Sequence, residues 1–313
     1  MRLKTDHAFL NINDASYFEN EYIILKNTGI YFYHKNTLEQ SFAIDDCYFG
    51  TNLCLFGGHY LAVSFSNTSF RIYDLHDKKQ ISSDYTFRDE KIAHLEFELS
   101  KDEKKLYVLK YMHEDQLRQS LMIFDFPTLK NEEVISAEKE GSIGYCKFID
   151  KIFFIRDNSF YFQGEEKPLF REQNELNFTC EDKETDSFVL LNPKEIIVID
   201  HEGKEKNRFN LIEELKKTTE KNLILKNKVA SPLYIILYAN KLKDGKILFE
   251  VLSRAENIFF LICIYDIYSN SLVLVKPCSE LIINSFTSED HICVVTHKTC
   301  FLCSLVSETK EIS

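Results

Sequence analysis

Short apolar segments alternate with polar turns along the whole chain, and four of these segments end in the same way. Residues 72–75, 123–126, 198–201 and 264–267 each carry an aromatic or aliphatic residue followed by an aspartate. A polar turn and another apolar segment follow each one, which predicts β-strands. Repetition of one such unit about every 40 residues is typical of a β-propeller.

Seven strand ends can be aligned on this theme, and their spacing predicts the number of sheets. The intervals between successive ends are 40, 51, 38, 37, 66 and 38 residues. Four intervals fit one four-stranded blade each, and the other two require insertions. We therefore predict an all-β, seven-bladed propeller in which residues 1–313 form a single domain, with six and eight blades as alternatives. The aligned ends are His34, Asp74, Asp125, Gln163, Asp200, Asp266 and Ser304.

The two ends of the chain leave the last blade incomplete in the sequence pattern. The first blade is predicted to begin with a strand at residues 9–12. The last blade has only three predicted strands, at residues 281–286, 292–296 and 301–306. Residues 310–312 and the N-terminus are the two candidates for its fourth strand.

Two segments interrupt the strand pattern and account for the two long intervals. Residues 112–119 are charged and are predicted to form a long loop. Residues 210–222 resemble a capped helix, with Asn210 as N-cap, Glu213 three residues later and one apolar face. Insertions on a rigid scaffold often carry recognition, so we expect one or both segments to contact a partner. The candidate contact residues are Met112, His113, Glu114, Asp115, Leu211 and Leu215.

The repeated aspartates have two interpretations. Asp74, Asp125, Asp200 and Asp266 could form a ring of carboxylates around a channel. We instead predict that each one accepts hydrogen bonds from backbone N–H groups of the turn that follows its strand. Glycine is scarce, with 9 residues in 313, so Asn and Asp are also expected at positive-φ turn positions.

Composition and charge narrow the class of partner. Apolar residues make up 44% of the chain, enough for a sizeable core, and aromatic residues favour strands. The net charge of -11 works against nucleic acid or an anionic membrane as a direct ligand. The apolar run 258–264 is too short to cross a bilayer, and residues 1–13 lack an apolar stretch of signal-peptide length.

The nine cysteines indicate a reducing compartment. Most lie inside apolar strand patterns, where a thiol behaves as a small hydrophobic group, so we expect reduced thiols in the cytosol or nucleus. One C-x-x-C pair, Cys300 and Cys303, is compatible in composition with zinc. In a strand, however, residues three apart point to opposite faces, so we predict buried thiols and neither metal nor cofactor.

The strand-ending dipeptides resemble those of the WD-repeat family of β-propellers. Tyr73-Asp74, Phe124-Asp125 and Tyr265-Asp266 stand where that family most often carries Trp-Asp, and a turn and a strand follow each. The family's Gly-His dipeptide is missing from its expected place, which puts the family's Asp-His-Ser/Thr-Trp bracing network in question. The resemblance implies a scaffold that binds other proteins through its narrow face and rim.

No familiar catalytic pattern accompanies the repeats. The sequence lacks G-x-S-x-G, a Walker-type loop, G-x-G-x-x-G and H-E-x-x-H. We therefore expect a non-enzymatic, protein-binding subunit of a larger intracellular complex. The alternatives are an enzyme or small-ligand binder with a site at the channel mouth, and a nucleic-acid-binding propeller with a clustered basic face.

Overall fold

The computed structural model describes residues 2–45, 47–65, 68–87, 92–113, 117–137, 141–182, 184–221, 233–254, 258–278 and 280–306. Over these ranges the chain forms seven antiparallel sheets and one α-helix. The sheets are the blades of a seven-bladed β-propeller, which confirms the predicted fold class and blade number. Two compact units divide the chain: a three-blade unit of Met1–Leu10 with Asn174–Ser313, and a four-blade unit of Asn11–Gln173. The single domain stays a prediction.

The last blade shows how the N-terminus is used. The first strand, β1 (Arg2–Leu10), forms the outer edge of a sheet whose other strands come from the C-terminal end of the chain. All other blades are formed from consecutive strands of the chain.

The four-blade unit contains blades 1 to 4. Blade 2 has a divided outer strand, because two short strands pair with the same neighbour. The strands are β2 (Asp14–Phe18), β3 (Glu21–Lys26), β4 (Gly29–His34) and β5 (Gln40–Ile44) in blade 1; β6 (Gly50–Phe56), β7 (Tyr60–Phe65), β8 (Ser69–Asp74), β9 (Lys79–Gln80) and β10 (Tyr85–Thr86) in blade 2; β11 (Ile92–Leu99), β12 (Lys105–His113), β13 (Leu117–Asp125) and β14 (Lys130–Ser136) in blade 3; and β15 (Ser142–Cys146), β16 (Lys151–Arg156), β17 (Ser159–Phe162) and β18 (Phe170–Arg171) in blade 4.

The three-blade unit contains blades 5 to 7 and the helix α1 (Leu211–Lys221), which follows blade 5. The strands are β19 (Asn177–Asp182), β20 (Ser187–Leu191), β21 (Glu195–Asp200) and β22 (Glu205–Asn210) in blade 5; β23 (Leu233–Lys241), β24 (Lys246–Arg254), β25 (Ile258–Asp266) and β26 (Ser271–Cys278) in blade 6; and β27 (Ile282–Thr287), β28 (Ile292–Thr296) and β29 (Thr299–Val306), completed by β1, in blade 7.

The expected first strand at residues 9–12 is wrong. Blade 1 begins at Asp14, and Phe9 lies in β1, opposite Cys300 of β29. The N-terminus is therefore the fourth strand of blade 7, while residues 310–312 lie outside the described part of the chain. Pairing covers one edge of β29 with backbone hydrogen bonds and buries Leu3 and Phe9, which a local pattern does not reveal.

Apolar side chains alternate between the two faces of each blade and fill the space between neighbours in the same unit. In β8, Phe70 and Ile72 join the core shared with blade 3, while Tyr73 joins the core shared with blade 1. The ring centroids of Phe70 and Phe97, from blades 2 and 3, lie 5.0 Å apart. Blades of this kind are stabilised by their neighbours, because one sheet alone cannot bury both of its faces.

Tight turns rely on Asn and Asp where glycine is scarce. Of the 14 non-glycine residues with positive φ in the described ranges, 7 are Asn or Asp. Their short polar side chains tolerate this backbone conformation better than bulky ones. Three of the others, Leu38, Phe49 and Leu129, are large apolar residues.

Candidate interaction surface

Both insertions predicted from the sequence lie at the same kind of sheet edge. In each antiparallel blade, the turn between the second and third strands lies at the edge from which the chain leaves for the next blade. We call this the connector edge of a blade. The β12–β13 hairpin ends at the connector edge of blade 3, and α1 begins at the connector edge of blade 5.

The segment at residues 112–119 is mostly strand, not the long loop that its charge predicts. β12 and β13 have nine residues each and pair over their whole length, from Lys105 opposite Asp125 to His113 opposite Leu117. Met112 is a half-buried strand residue, while Glu114 and Asp115 lie outside the described residues. The long interval in this blade therefore comes from longer strands. Charge does not exclude a strand, because strand positions that face solvent accept charged side chains.

The base of the β12–β13 hairpin is tied to its surroundings. The side-chain Oε1 of Gln119 accepts a hydrogen bond from the backbone N–H of Ile143 in blade 4, at 3.1 Å. The Tyr111 hydroxyl donates to Glu96 on β11, at 3.0 Å. Burial and the neighbouring Glu96 carboxylate raise the pKa of Tyr111 well above its usual value. The hairpin thus has a rigid base.

The helix has the cap that the sequence predicts, but the two leucines proposed for partner contact face inward. Asn210 Oδ1 accepts a hydrogen bond from the backbone N–H of Glu213, at 2.9 Å. Leu211 and Leu215 are 0% exposed and belong to the core between blades 5 and 6. These side chains anchor α1, so a partner would have to use its outer residues, among them Lys216 and Lys217.

Three of the four strand-end aspartates accept backbone hydrogen bonds from the next turn. Asp74 accepts from His76, at 2.9 Å, and Asp266 from Tyr268 and Ser269, at 2.9 and 3.1 Å. Asp200 accepts from Lys204 and Glu202, at 2.8 and 3.0 Å, and these two N–H groups hold its pKa below the usual value.

Asp125 differs because of the sequence that follows it. Asp74, Asp200 and Asp266 each accept a hydrogen bond from the backbone N–H of the residue two positions later. Two positions after Asp125 stands Pro127, which has no N–H. The Asp125 carboxylate instead pairs with the ammonium group of Lys105, at 2.5 Å. The same strand-end residue therefore has two structural roles.

Polar side chains join neighbouring blades by accepting a hydrogen bond from the backbone of β6, β15 or β27, a role that the sequence does not predict. Asp14 accepts a hydrogen bond from the N–H of Leu53, at 2.7 Å, much as Gln119 does from blade 4. In the three-blade unit, Glu250 accepts from the N–H of Ile282, at 2.9 Å. Glu250 is 0% exposed, and burial raises its pKa against the smaller opposing effect of this bond. A single polar residue within an apolar strand is the only sequence signal for such a contact.

A bracing network centres on Tyr73. Its hydroxyl is hydrogen-bonded to the buried thiol of Cys47, at 2.8 Å, and accepts from Arg71, at 3.0 Å. The Arg71 guanidinium is bidentate to Asp84, at 2.7 and 2.9 Å. Because Cys47 lies in the connector from blade 1, the network fixes that connector to blade 2.

One cleft of about 240 Å³ is lined by a serine and a histidine, Ser304 and His291, which are residue types common in catalytic sites. Their hydrogen bonds and contacts do not suit a nucleophilic serine. The Ser304 hydroxyl donates directly to Asp6, and His291 Nε2 lies 3.7 Å from the same carboxylate. Ser304 and Lys4 hold the pKa of Asp6 below its usual value. A serine nucleophile needs the imidazole next to its hydroxyl, which this arrangement does not provide.

The C-x-x-C cysteines are both buried residues of β29, where Cys300 lies opposite Val295 and Cys303 opposite Ile292. None of the nine cysteines, all within the described ranges, forms a disulfide. Among the residues that the structure describes, no three His, Cys, Asp or Glu side chains form a group suited to a metal ion. The same residues include no helix with the length and apolar content that crossing a membrane requires.

Comparison with solved structures supports the fold. The β-propeller domain of Cps50 (Swd1) from Myceliophteria thermophila superposes with a TM-score of 0.60 at 10% identity, covering 97% of this chain and 100% of that one. A chain of the mitotic checkpoint complex gives 0.58 at 11%, covering 97% and 95%. The CNH domain of AfRom2 gives 0.56 at 11%, covering 97% of each.

Comparisons of the amino-acid sequence found no related family or protein. No protein-family model matches the chain. No curated protein matches it either. Identities of 10–11% establish a shared fold and nothing finer.

Proposed function

We propose that this chain is a non-enzymatic, WD-repeat-like scaffold that binds other proteins within a larger assembly. The observation that supports this most is the long β12–β13 hairpin, which lies at the connector edge of blade 3 on a rigid base. Paired strands present side chains at low entropic cost, which favours protein recognition. One of the similar structures is itself a chain of a multi-protein complex.

The position of Tyr73 supports the similarity to the WD-repeat family. It stands where that family most often carries Trp, and it bonds across to a residue of the preceding connector, Cys47. A tyrosine–thiol pair would then replace the family's bracing network in this blade. The other candidate dipeptides, which contain Phe124 and Tyr265, would rely on packing in the blade cores.

The partner is expected to be a protein, in the cytosol or nucleus. Nine cysteines without a disulfide fit a reducing compartment. The net charge of -11 disfavours nucleic acid and anionic lipid as direct ligands. A protein surface with basic groups is the complementary choice.

The alternative of a small-ligand binder has weaker support. Within the described ranges, one cleft in each unit measures about 250 or 240 Å³. Both are below the roughly 300–1,000 Å³ of most small-molecule sites. Soaking or thermal-shift screening that yields a tight small ligand would favour this alternative.

The test is a matched pair of shortened hairpins in the tagged full-length chain. The first variant replaces residues 113–117 with an Asn-Gly turn and keeps Gln119, whose side chain holds blade 4. The control shortens the equally long β24–β25 hairpin by replacing residues 254–258. We expect stoichiometric protein partners in purification with mass spectrometry, and loss of at least one from the first variant only. Unchanged partners in both variants would remove the hairpin from the proposal, and the absence of any stoichiometric partner would contradict the scaffold.

A further inference from the structure

Two adjacent aromatic side chains stand out from the surface of the four-blade unit. Tyr48 is 59% exposed and Phe49 is 71% exposed, the largest exposed fraction among the large hydrophobic residues of the described ranges. Both lie in the connector between β5 and β6, at the connector edge. Single exposed apolar residues are ordinary, but two adjacent aromatics form a compact anchor of the kind that dominates protein interfaces.

The backbone at Phe49 is held in a conformation that a bulky residue disfavours. Its φ is +60°, in the left-handed region, where a side chain with a Cβ is strained. Leu129 has a similar φ, but its side chain packs against the core between blades 2 and 3. Phe49 has no comparable burial to offset the strain. A bulky side chain that is strained and yet exposed points to function.

The connector is fixed on both sides of the aromatic pair. The Phe49 N–H donates to the carbonyl of Asn27, at 3.1 Å, and the Asn13 side chain donates to the carbonyl of Gly50, at 2.7 Å. On the other side, Cys47 is buried and bonded to Tyr73. The two rings are therefore presented by a rigid support, so a partner would not have to order this segment on binding.

The charges around the pair favour a basic partner. Asp45 is exposed three residues before Tyr48, in a chain whose net charge is -11. Exposed carboxylates and aromatic faces each attract arginine and lysine, and the rings also accept an apolar side chain.

We infer that Tyr48 and Phe49 form a docking anchor for a protein segment in which arginine or lysine flanks an apolar side chain. The inference rests on the proposed scaffold function and specifies the chemistry of one contact. It concerns a connector of blade 2, separate from the β12–β13 hairpin of blade 3. The two contacts can therefore be lost independently.

The test uses an array of short synthetic peptides and the purified full-length chain. Each peptide carries one Leu or Phe flanked by Arg and Lys, by Ser, or by Glu. We expect binding to the basic set only, about tenfold weaker after Phe49→Ser or Tyr48→Ser. Val134→Ser is the matched control, because Val134 is 50% exposed on β14 and should leave binding unchanged. Equal binding of basic and acidic peptides, or unchanged binding by Phe49→Ser, would overturn the inference.

A second measurement separates docking from a structural role. Phe49→Gly relieves the left-handed strain, so its melting temperature should equal or exceed that of the wild type while peptide binding falls. A lower melting temperature would mean that Phe49 serves the fold. If the shortened hairpin loses its partner while the Phe49 variants retain every interaction, the scaffold stands and this anchor fails.

Discussion

The Asp266 carboxylate fixes the turn after β25 through two backbone hydrogen bonds, to Tyr268 and Ser269. We expect Asp266→Ala to lower the free energy of unfolding by about 1–2 kcal/mol, because both N–H groups lose their acceptor. Asp125→Ala should cost less, about 0–1 kcal/mol, since the lysine that pairs with its carboxylate is partly exposed. Urea unfolding of both variants measures the difference. Equal losses would show that the two aspartates have one role.

Glu250 should make stability depend on pH. Its pKa is raised in the folded protein by burial, so the folded state favours the protonated acid. Stability from this group is fully present below the unfolded pKa of glutamate and is lost as pH rises through the higher folded pKa. Glu250→Gln keeps an acceptor for the N–H of Ile282 and cannot ionise. We expect the variant to gain stability over the wild type as pH rises from 4 to 8 in urea unfolding. A constant difference across that range would contradict the assignment.

At the scale of elements, α1 is predicted to depend on its buried face and its cap. Leu215→Ala should cost about 2–5 kcal/mol because it leaves a cavity between the helix and blades 5 and 6. Asn210→Ala should cost about 1 kcal/mol through the lost cap. Lys217→Ala, on the outer side, is the control and should be near neutral. Thermal unfolding followed by circular dichroism ranks the stabilities of the three variants. A large loss of stability in Lys217→Ala would contradict the assignment of Lys217 to the outer side of α1.

Element type was predictable here, while element length was less so. Asn210 marks the helix start in the sequence and in the structure, because a cap is a contact within one turn. The charge of residues 112–119 predicts a loop, yet β12 and β13 pair through the described residues of that segment. Strand length depends on whether a partner backbone continues alongside, and side-chain charge at exposed positions carries little information about it.

At the scale of the molecule, β1 completes blade 7 from the opposite end of the sequence. Deleting residues 1–10 removes the buried Leu3 and Phe9 and uncovers the edge of β29. We expect a loss of about 4 kcal/mol or more and a tendency to associate through the open edge. A synthetic peptide of residues 1–10 added in trans should prevent this association and restore the melting temperature of the truncated chain. The same peptide with Leu3→Asp and Phe9→Asp is the control, and equal rescue by both would contradict specific pairing.

The single-domain prediction calls for one cooperative transition. Stacked blades are stabilised by their neighbours, so a single domain of seven blades should unfold together. Calorimetry should then give one peak, with equal calorimetric and van't Hoff enthalpies. Two separated peaks would mean that the three-blade and four-blade units are separate domains.

The sequence by itself determined the repeat, the alternation of apolar positions and the cap of α1, because these are local or periodic. Tertiary structure decided that β1 pairs with β29, that Glu250 meets Ile282 and that Leu211 faces inward. It also left Phe49 exposed on a strained connector. These features depend on groups distant in the chain, such as Thr5 and Cys303, which are in contact although 298 positions separate them. Burial and hydrogen-bond satisfaction are properties of the folded surroundings, so only the folded chain determines them.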